Sequence, residues 1–335
     1  MNIFITNVSS SQGFGHISRS IALASHLNKK KNIIFLNNNK NLKYIKKYFK
    51  YIEIKKNNKK IIKKIKFIIK KSKKKKCIIF IDDYKISKNF VRKINSLNSI
   101  VVEYIPLKKT KHLSSDISIC LSKSKNLKKD NKVLLSGKKY FSMEKSALKL
   151  IKKNLKKNKI FIFLGGGSDK GIIKKIINNI YNLKINISID IFSTSLNPLN
   201  KSNLSYLKKI NKISKNKITY NINAINFLKN LRSSKLAILA PGLTFFESLY
   251  FKTPSLLISL NKKQHDHINS YNKFKKNYLG NYKKINFTRL NSKILQNINK
   301  KKKPNKNFLV DGMGHQRILN NIKKIYEKKN FNSRR

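Results

Sequence analysis

Three glycine-containing segments carry side chains that could do chemistry, and the first of them includes a histidine. Residues 9–19 read Ser-Ser-Ser-Gln-Gly-Phe-Gly-His-Ile-Ser-Arg, so that Gly13 and Gly15 precede His16. Two glycines let the backbone turn sharply after a strand, and helix N-termini suit anions. At the start of a helix the positive end of the dipole disfavours imidazolium, which leaves His16 as a neutral base. The same position would also allow His16 to cap the helix or to bind a phosphate.

The second segment is a bare run of glycines. Gly165, Gly166, Gly167 and Ser168 follow a strand-like run and precede a helical pattern. Successive backbone amides in such a turn could cradle a diphosphate. A glycine run after a strand is a weak signal alone, but this run holds the same place in the second half of the chain as the first segment holds in the first half.

The third segment, residues 239–247, again runs from a strand through a glycine turn into a helix. Gly242 and Thr244 lie where a phosphate would meet the helix N-terminus, and Glu247 follows one turn later. A carboxylate so placed can accept hydrogen bonds from both hydroxyls of a ribose. The alternative is a surface acid that stabilises the helix through its N-terminal dipole.

Polar residues also end a strand in the first half, at Asp82, Asp83 and Tyr84. The carboxyl edge of this strand should face the same cleft as the glycine segments. A metal pair would need further acidic ligands, so contact with a polar substrate is the better interpretation. We expect the substrate-binding residues to be Gly13, Gly15, Arg19, Asp83 and Tyr84.

We expect neither a metal nor a cofactor. Residues 264–267, Gln-His-Asp-His, look like a metal cluster, but their histidines would point in different directions and no third group completes a zinc site. The first glycine segment is not a dinucleotide fingerprint, because Ser18 stands where a third glycine would be needed. Cys77 and Cys120 match no metal spacing, which is typical of buried thiols in a reducing cytoplasm.

The elements that must position these residues alternate between short apolar runs and lysine-rich amphipathic stretches. In the first half, strands are predicted over residues 3–6, 33–36, 51–54, 77–81 and 100–103, and helices over 16–29, 59–71 and 87–96. This order implies a parallel sheet with helices on both faces. The pattern breaks in a polar stretch at residues 108–146, and a helix is predicted near 146–157.

The alternation then restarts, which argues for a second doubly wound domain. Strands are predicted over residues 159–164, 185–192, 217–220, 236–239 and 255–258, with helices after each, including 245–251, and a closing helix over 312–329. We therefore predict an α/β protein of two doubly wound parallel-sheet domains that face a cleft. Residues 1–156 would hold the catalytic glycine segment and the substrate pocket, and residues 157–335 the nucleotide site and the closing helix.

The net charge of +65 over 335 residues raises the alternative of a charge-driven nucleic-acid-binding protein. Only seven arginines accompany 71 lysines, whereas base recognition and phosphate forks favour arginine. The lysines are scattered along the chain, and Ile, Asn and Lys are inflated together, as an AT-rich coding bias would produce. We expect no specific nucleic-acid partner, although such a surface attracts nucleotides and acidic membranes.

The N-terminus and the apolar runs bear on location. The first seven residues read as a strand, with no charged leader and no small-residue cleavage site. No apolar run approaches the roughly 18–20 residues needed to span a bilayer. These features predict a cytoplasmic protein.

Taken in order, these motifs resemble the UDP-sugar hydrolases of pseudaminic-acid biosynthesis and their relatives in spore-coat polysaccharide synthesis. The matching segments are residues 9–19, 81–87, 163–169, 239–247 and 310–318, and they extend over nearly the whole chain. Residues 15–19, Gly-His-Ile-Ser-Arg, are the most specific, and the closing Asp-Gly-x-Gly-x-x-Arg pattern supports this branch. The resemblance implies the two-domain GT-B fold.

The resemblance also implies an activity. Family members hydrolyse a UDP-linked diacetamido-trideoxy-hexose to UDP and the free sugar. It would make His16 the catalytic base, place Tyr84 in the sugar pocket and put Glu247 on the ribose of UDP. The chain departs from the family where Gln12 directly precedes Gly13, and where Pro241 and Leu243 flank Gly242. A GT-B glycosyltransferase, with an acceptor hydroxyl in place of water, is the alternative activity.

Overall fold

The computed structural model of the chain describes residues 1–8, 14–27, 33–37, 49–54, 57–71, 77–97, 99–110, 113–124, 128–129, 132–152, 158–166, 169–213, 217–299 and 310–331. The chain divides into two compact units. Unit 1 consists of residues 1–145 and 312–335, and unit 2 of residues 146–311. Unit 2 thus begins about ten residues earlier than the sequence predicted, and the closing helix groups with unit 1.

In the described part of unit 1, eight strands form one sheet in the order β3-β2-β1-β4-β5-β6-β8-β7. The strands are β1 (Asn2–Thr6), β2 (Ile33–Asn37), β3 (Lys50–Glu53), β4 (Cys77–Asp82), β5 (Ser99–Tyr104), β6 (Ile117–Cys120), β7 (Lys128–Lys129) and β8 (Lys132–Ser136). The helices are α1 (Gly15–Ala24), α2 (Asn58–Lys71), α3 (Lys88–Asn95), α4 (Lys145–Leu148, which the division places across the boundary) and the closing α11 (Gly314–Phe331). Every described strand pair is parallel except β7 with β8.

The apolar runs of the sequence become the strands, and the amphipathic stretches become the helices that cover them. Ile65 and Ile68 of α2 are buried together with Ile79 and Ile81 of β4 in one core cluster. These helical residues recur at a spacing of three to four, which turns one face of α2 towards the sheet. The opposite face of α2 keeps its lysines in solvent.

The sheet continues where the sequence pattern was predicted to break. Within the polar stretch at residues 108–146 lie the strands β6 and β8, which pair in register from Ile117 with Val133 to Cys120 with Ser136. Ser118 is completely buried and shares a hydrogen bond of 2.8 Å with Ser115. Buried serines such as Ser115 and Ser118 make this part of the sheet look polar in the sequence. They can be buried because their hydroxyl groups form hydrogen bonds in the folded structure, which the sequence pattern does not show.

In unit 2 the described residues form a six-stranded parallel sheet in the order β11-β10-β9-β12-β13-β14. Its strands are β9 (Lys159–Phe163), β10 (Ser188–Ser193), β11 (Ile218–Ile222), β12 (Leu236–Leu239), β13 (Ser255–Ser259) and β14 (Tyr278–Asn281). Its helices are α5 (Ile172–Asn182), α6 (Lys201–Ile213), α7 (Phe227–Arg232), α8 (Leu243–Tyr250), α9 (Lys262–Asn269) and α10 (Phe287–Asn299). The core is a cluster of isoleucines and leucines between this sheet and its helices.

Both sheets reverse their strand order at one point. In unit 1 the reversal lies between β1 and β4, and in unit 2 between β9 and β12. At such a switch point the connections leave in opposite directions and open a crevice at the carboxyl ends of the strands. The predicted glycine segments follow β1, β9 and β12, so the fold brings them to these two crevices.

The closing helix α11 is fastened to unit 1 at both of its ends. At the first end, Arg317 Nη1 donates a 3.0 Å hydrogen bond to the carbonyl of Lys139. At the other, Lys329 Nζ lies 2.9 Å from a carboxylate oxygen of Asp116 and donates to the carbonyl of Ser99. The partners are far away in sequence, which is why the sequence pattern alone assigned this helix to the second domain.

Gly314, the first residue of α11, lies directly against the backbone of the loop before α4. A Cβ at this position would come within 2.0 Å of the Phe141 carbonyl oxygen. The tight approach explains the glycine in the closing motif, because backbone cannot give way as a flexible side chain can.

Gly314→Ala should therefore destabilise the protein by about 1–3 kcal/mol, as overpacking does in a close-packed contact. The matched control is Gly15→Ala, at the first residue of α1, where a Cβ meets nothing within 4 Å. Urea unfolding of both variants measures the difference. Equal stability of the two variants would contradict the close contact.

Two stacked histidine rings join α11 to the end of α1. The ring centroids of His26 and His315 are 3.5 Å apart with an angle of 9° between the planes. His26 Nε2 lies 2.7 Å from the carbonyl oxygen of Met143. Burial lowers the pKa of both rings below 6.5, and Lys145 lowers the pKa of His26 further, whereas Glu144 raises it.

Because both pKa values are lowered, the unfolded chain takes up protons first as the pH falls. The stability that the neutral pair contributes is therefore present above pH 6.5 and is lost below it. Burial raises the pKa of Glu103 to about 7, so this residue acts in the opposite sense. The measurement is the free energy of unfolding in urea, for wild type and for His315→Gln, at about pH 7.5 and at about pH 5.5. The variant should lose less stability on acidification, and an identical loss would contradict the assignment.

Candidate functional site

The switch point of unit 1 brings the first helix and the fourth strand together. Thr6, the last residue of β1, pairs with Asp82, the last residue of β4. α1 begins at Gly15, and its first turn carries His16. His16 and Asp82 therefore meet at the carboxyl edge of the sheet, although 66 positions separate them in the sequence.

His16 binds Asp82 through one ring nitrogen. The distance from His16 Nδ1 to Asp82 Oδ1 is 2.5 Å, and both side chains are buried. An ionised carboxylate can only accept a hydrogen bond, so Nδ1 carries the proton and the lone pair lies on Nε2. A histidine whose tautomer is fixed in this way by a carboxylate is the arrangement used for general bases.

Arg19 holds the same carboxylate from the other side. Its Nε donates to Asp82 Oδ2 at 2.7 Å, and its Nη2 donates to Asp82 Oδ1. The guanidinium also donates through Nη1 to the Tyr84 hydroxyl at 3.2 Å and lies 4.3 Å from the ring centre of Tyr104. His16 and Arg19 reach one carboxylate because residues three apart share a helix face.

The charges in this cluster stabilise one another. Burial by itself would raise the pKa of Asp82, but the charge of Arg19, together with the hydrogen bonds from Arg19 and His16, outweighs burial and holds this pKa below its usual value. Burial would likewise lower the pKa of Arg19, and Asp82 raises it above its ordinary range. Asp82 is therefore a carboxylate, and Arg19 a cation, throughout the neutral pH range.

The structure brings several of the predicted residues into one cluster. His16, Arg19 and Tyr84 are in contact, and the His16 and Tyr84 rings meet edge to face with 4.7 Å between their centroids. Gly15 is the first residue of the helix that carries His16 and Arg19. Gly13 lies outside the described residues.

Asp83 has different partners from Asp82. Its Oδ2 accepts a hydrogen bond from Asn7 Nδ2 at 3.2 Å, and its Oδ1 accepts one from the Lys85 amide at 2.9 Å. The sequence paired the two acids and did not predict that Asp82 is the partner of His16. Asp82 is the last residue of β4, and Asp83 comes directly after it. Because neighbouring side chains along a strand point to opposite faces of the sheet, this position was the signal that the two acids have different partners.

In unit 2, two of the predicted glycine segments lie side by side. β9 and β12 are neighbours, with Phe163 paired to Leu239, and each strand leads directly into its glycine turn. Gly165 has a φ of +92°, a conformation that favours glycine. Gly242 is the N-cap of α8 and has an extended backbone. Gly167 and Ser168 lie outside the described residues.

The glycine turn after β9 is tied to the neighbouring loop. The Gly166 carbonyl accepts hydrogen bonds from Asn197 Nδ2 at 2.6 Å and from Thr194 Oγ1 at 3.3 Å. In the adjacent turn, Thr244 is buried in the first turn of α8 and Glu247 is half-buried one turn later. The turn and the N-terminus of α8 therefore flank one switch point, a geometry that favours anions.

The Gln-His-Asp-His segment forms part of α9. His265 Nδ1 lies 2.7 Å from the Tyr278 hydroxyl, and His265 Nε2 lies 2.8 Å from Asn269 Nδ2. Both ring nitrogens thus have partners inside unit 2. Among the residues that the structure describes, no group of three or more His, Cys, Asp or Glu side chains could hold a metal ion. In the same part of the chain, no helix is long and apolar enough to cross a membrane.

No family model and no curated protein sequence matches this chain. Solved structures do match it along nearly its whole length. MurG of Acinetobacter baumannii superposes with a TM-score of 0.61 at 12% identity, covering 96% of this chain and 99% of that one. A glycosyltransferase of Rickettsia africae gives a TM-score of 0.60 at 16% identity, with 97% and 98% covered.

A third neighbour was solved with ligands. The UDP-GlcNAc 2-epimerase of Methanocaldococcus jannaschii, in complex with UDP-GlcNAc and UDP, gives a TM-score of 0.53 at 13% identity and covers 96% of this chain and 99% of that one. At such low identity the likeness concerns the fold. The prediction of a GT-B-like fold with two doubly wound parallel-sheet domains is therefore confirmed.

Proposed function

We propose that this chain is an enzyme that acts on UDP-sugars. The nucleotide would bind in unit 2, where the turn at Gly165 and Gly166 and the N-terminus of α8 flank one switch point. The structural neighbours support UDP as the nucleotide, since one of them is a complex with UDP and UDP-GlcNAc. Backbone amides and helix N-termini suit a diphosphate because they stabilise negative charge without a metal-binding cluster.

The reaction that we propose is hydrolysis, and the buried contact between His16 and Asp82 is the observation that carries it. His16 Nε2 removes a proton from water while the water oxygen bonds to the anomeric carbon of the sugar. The bond from that carbon to the diphosphate oxygen breaks, and UDP leaves with the electron pair as an anion. The products are the free sugar and UDP, and the proton stays on the imidazole, next to the Asp82 carboxylate.

The proposed substrate is a UDP-linked diacetamido-trideoxy-hexose, as used in the biosynthesis of nonulosonic acids such as pseudaminic acid. The matching sequence motifs, above all residues 15–19, support this choice. Tyr84 contacts both Arg19 and the ring of His16, which supports a role for Tyr84 in the sugar site beside the proposed base.

A glycosyltransferase is the second candidate, and the Rickettsia africae neighbour favours it. The same base would then deprotonate an acceptor hydroxyl instead of water. Measuring UDP release from a panel of UDP-sugars, with and without a cell extract that supplies acceptors, separates the two. Release that does not depend on the extract and yields free sugar supports the hydrolase, and strict dependence on the extract supports the transferase.

His16→Asn should lower the turnover of the enzyme about 10²- to 10⁴-fold, the contribution typical of a general base, and leave UDP affinity unchanged. The measurements are steady-state UDP release and calorimetric titration with UDP. His26→Asn is the matched control, because His26 is close in sequence but binds the Met143 carbonyl rather than Asp82. Near-normal turnover of His16→Asn at saturating substrate would refute the base assignment, whereas weaker UDP binding would indicate a phosphate ligand.

Glu247→Gln should weaken UDP binding by roughly 1.5–3 kcal/mol, because a charged hydrogen-bond acceptor for the ribose hydroxyls becomes neutral. The control is Glu327→Gln on the exposed face of α11, which removes the same charge far along the chain. Calorimetric titration with UDP compares the two variants. Equal affinities for UDP in Glu247→Gln and in the control would contradict the ribose role.

A further inference from the structure

We infer that unit 1 contains a second ligand site, on the other face of its sheet from His16, which binds a small sugar acid or sugar phosphate. The site is a cavity of about 540 Å³ at the carboxyl ends of β1, β2 and β3. Ligand pockets for small molecules have volumes of this order. All of its described lining residues belong to unit 1. They include Asp83, which the sequence predicted to bind substrate, but not His16, Arg19, Asp82 or Tyr84.

The connections of the sheet place this cavity and His16 on opposite faces. α1 connects β1 to β2, which lies on one side of the switch point. α2 leads into β4 and α3 leads into β5, and these two strands lie on the other side of the switch point. Right-handed crossovers in opposite directions put their helices on opposite faces of a parallel sheet. The floor of the cavity is formed by Ile5, Leu36 and Ile86, which belong to the core cluster beneath α2 and α3.

The wall of the cavity contains Asn7, whose side chain carries a buried hydrogen-bond acceptor without a partner. Asn7 is only 5% exposed, and its Oδ1 has no hydrogen-bond partner. Its Nδ2 is already used, because it donates to Asp83. A buried acceptor without a donor costs free energy, and a ligand that brings an N–H or O–H group would remove this cost. The first requirement for the ligand is therefore a hydroxyl or amide donor.

The rim of the cavity is cationic. α2 begins here, and Asn57 caps it by accepting a 3.2 Å hydrogen bond from the Lys60 amide. The first-turn residue Lys59 and the loop residue Lys85 also line the opening. A helix N-terminus of this length and two lysines favour an anionic group at the rim. The second requirement for the ligand is therefore a negative charge.

The two requirements apply to different ends of the ligand. The Asp83 carboxylate lies beside Asn7 and would repel an anion at the inner end, so the anion has to stay at the lysines. Between the two ends the ligand meets the aliphatic floor. A monosaccharide with a carboxylate or phosphate at one end fits this arrangement. Its hydroxyl groups would meet Asn7, its apolar ring face the floor and its charged end the lysines.

This site does not depend on the proposed hydrolysis, and its test does not either. Calorimetric titration of the full chain with glucose 6-phosphate and with glucuronate, each without UDP, measures binding. We expect saturable binding of at least one of them, and the tighter one assigns the site to sugar phosphates or to sugar acids. Neutral glucose and inorganic phosphate each lack one of the two features and should bind more weakly than the sugar anion.

Variants locate the site. Asn7→Leu should weaken binding of the sugar anion about three- to tenfold, as the loss of one hydrogen bond does. Lys59→Gln should weaken it by up to about fivefold, whereas Lys60→Gln, the matched change one position along, should leave it unchanged. If Asn7→Leu does not fold, the comparison of Lys59→Gln with Lys60→Gln still decides whether the sugar anion binds in this cavity.

Three results would overturn the inference. The first is that neither glucose 6-phosphate nor glucuronate binds saturably. The second is that both lysine variants lose binding equally, which would indicate non-specific attraction to the +65 charge. The third is that UDP displaces the sugar anion. UDP affinity itself should be the same in Asn7→Leu as in wild type. A failure of the UDP-sugar proposal would instead appear as absent UDP binding in the wild-type protein.

Discussion

The carboxylate of Asp82 is the group on which the buried polar cluster of unit 1 depends. It is completely buried, and it can stay ionised there because Arg19 holds both of its oxygens. That charge in turn fixes the proton of His16 on Nδ1. Removing one partner of a buried ion pair typically costs about 3–5 kcal/mol, because the remaining charge is left without compensation. The pair therefore couples the stability of the switch point to the protonation state of the proposed base.

A second consequence follows from the end of the same strand. Asp82 and Asp83 are consecutive, yet one binds α1 and the other binds Asn7 beside the cavity under α2. Alternation of side chains along a strand sends neighbours to opposite faces of the sheet. One strand end thus supplies a carboxylate to the proposed catalytic cluster and another to the inferred ligand site. The two acids look like one motif in the sequence and have separate partners in the structure.

Much of the architecture could be predicted because it depends on local patterns. Runs such as residues 77–81 and 236–239 are short and apolar, and they form strands at nearly the predicted positions. The amphipathic spacing in residues 59–71 predicted α2 within one residue at its start. Glycines stood out in a lysine-rich chain and marked turns at strand ends, one of which requires a positive φ at Gly165.

What the sequence by itself determined was therefore the alternation of strands and helices, and which residues lie at the carboxyl ends of the strands. Contacts between distant segments were decided only by the tertiary structure. Strand order brought His16 to Asp82, and close backbone packing at Gly314 brought the closing helix to unit 1. The physical reason is that periodicity fixes which face of an element is buried, whereas the neighbour on that face depends on strand pairing across many residues.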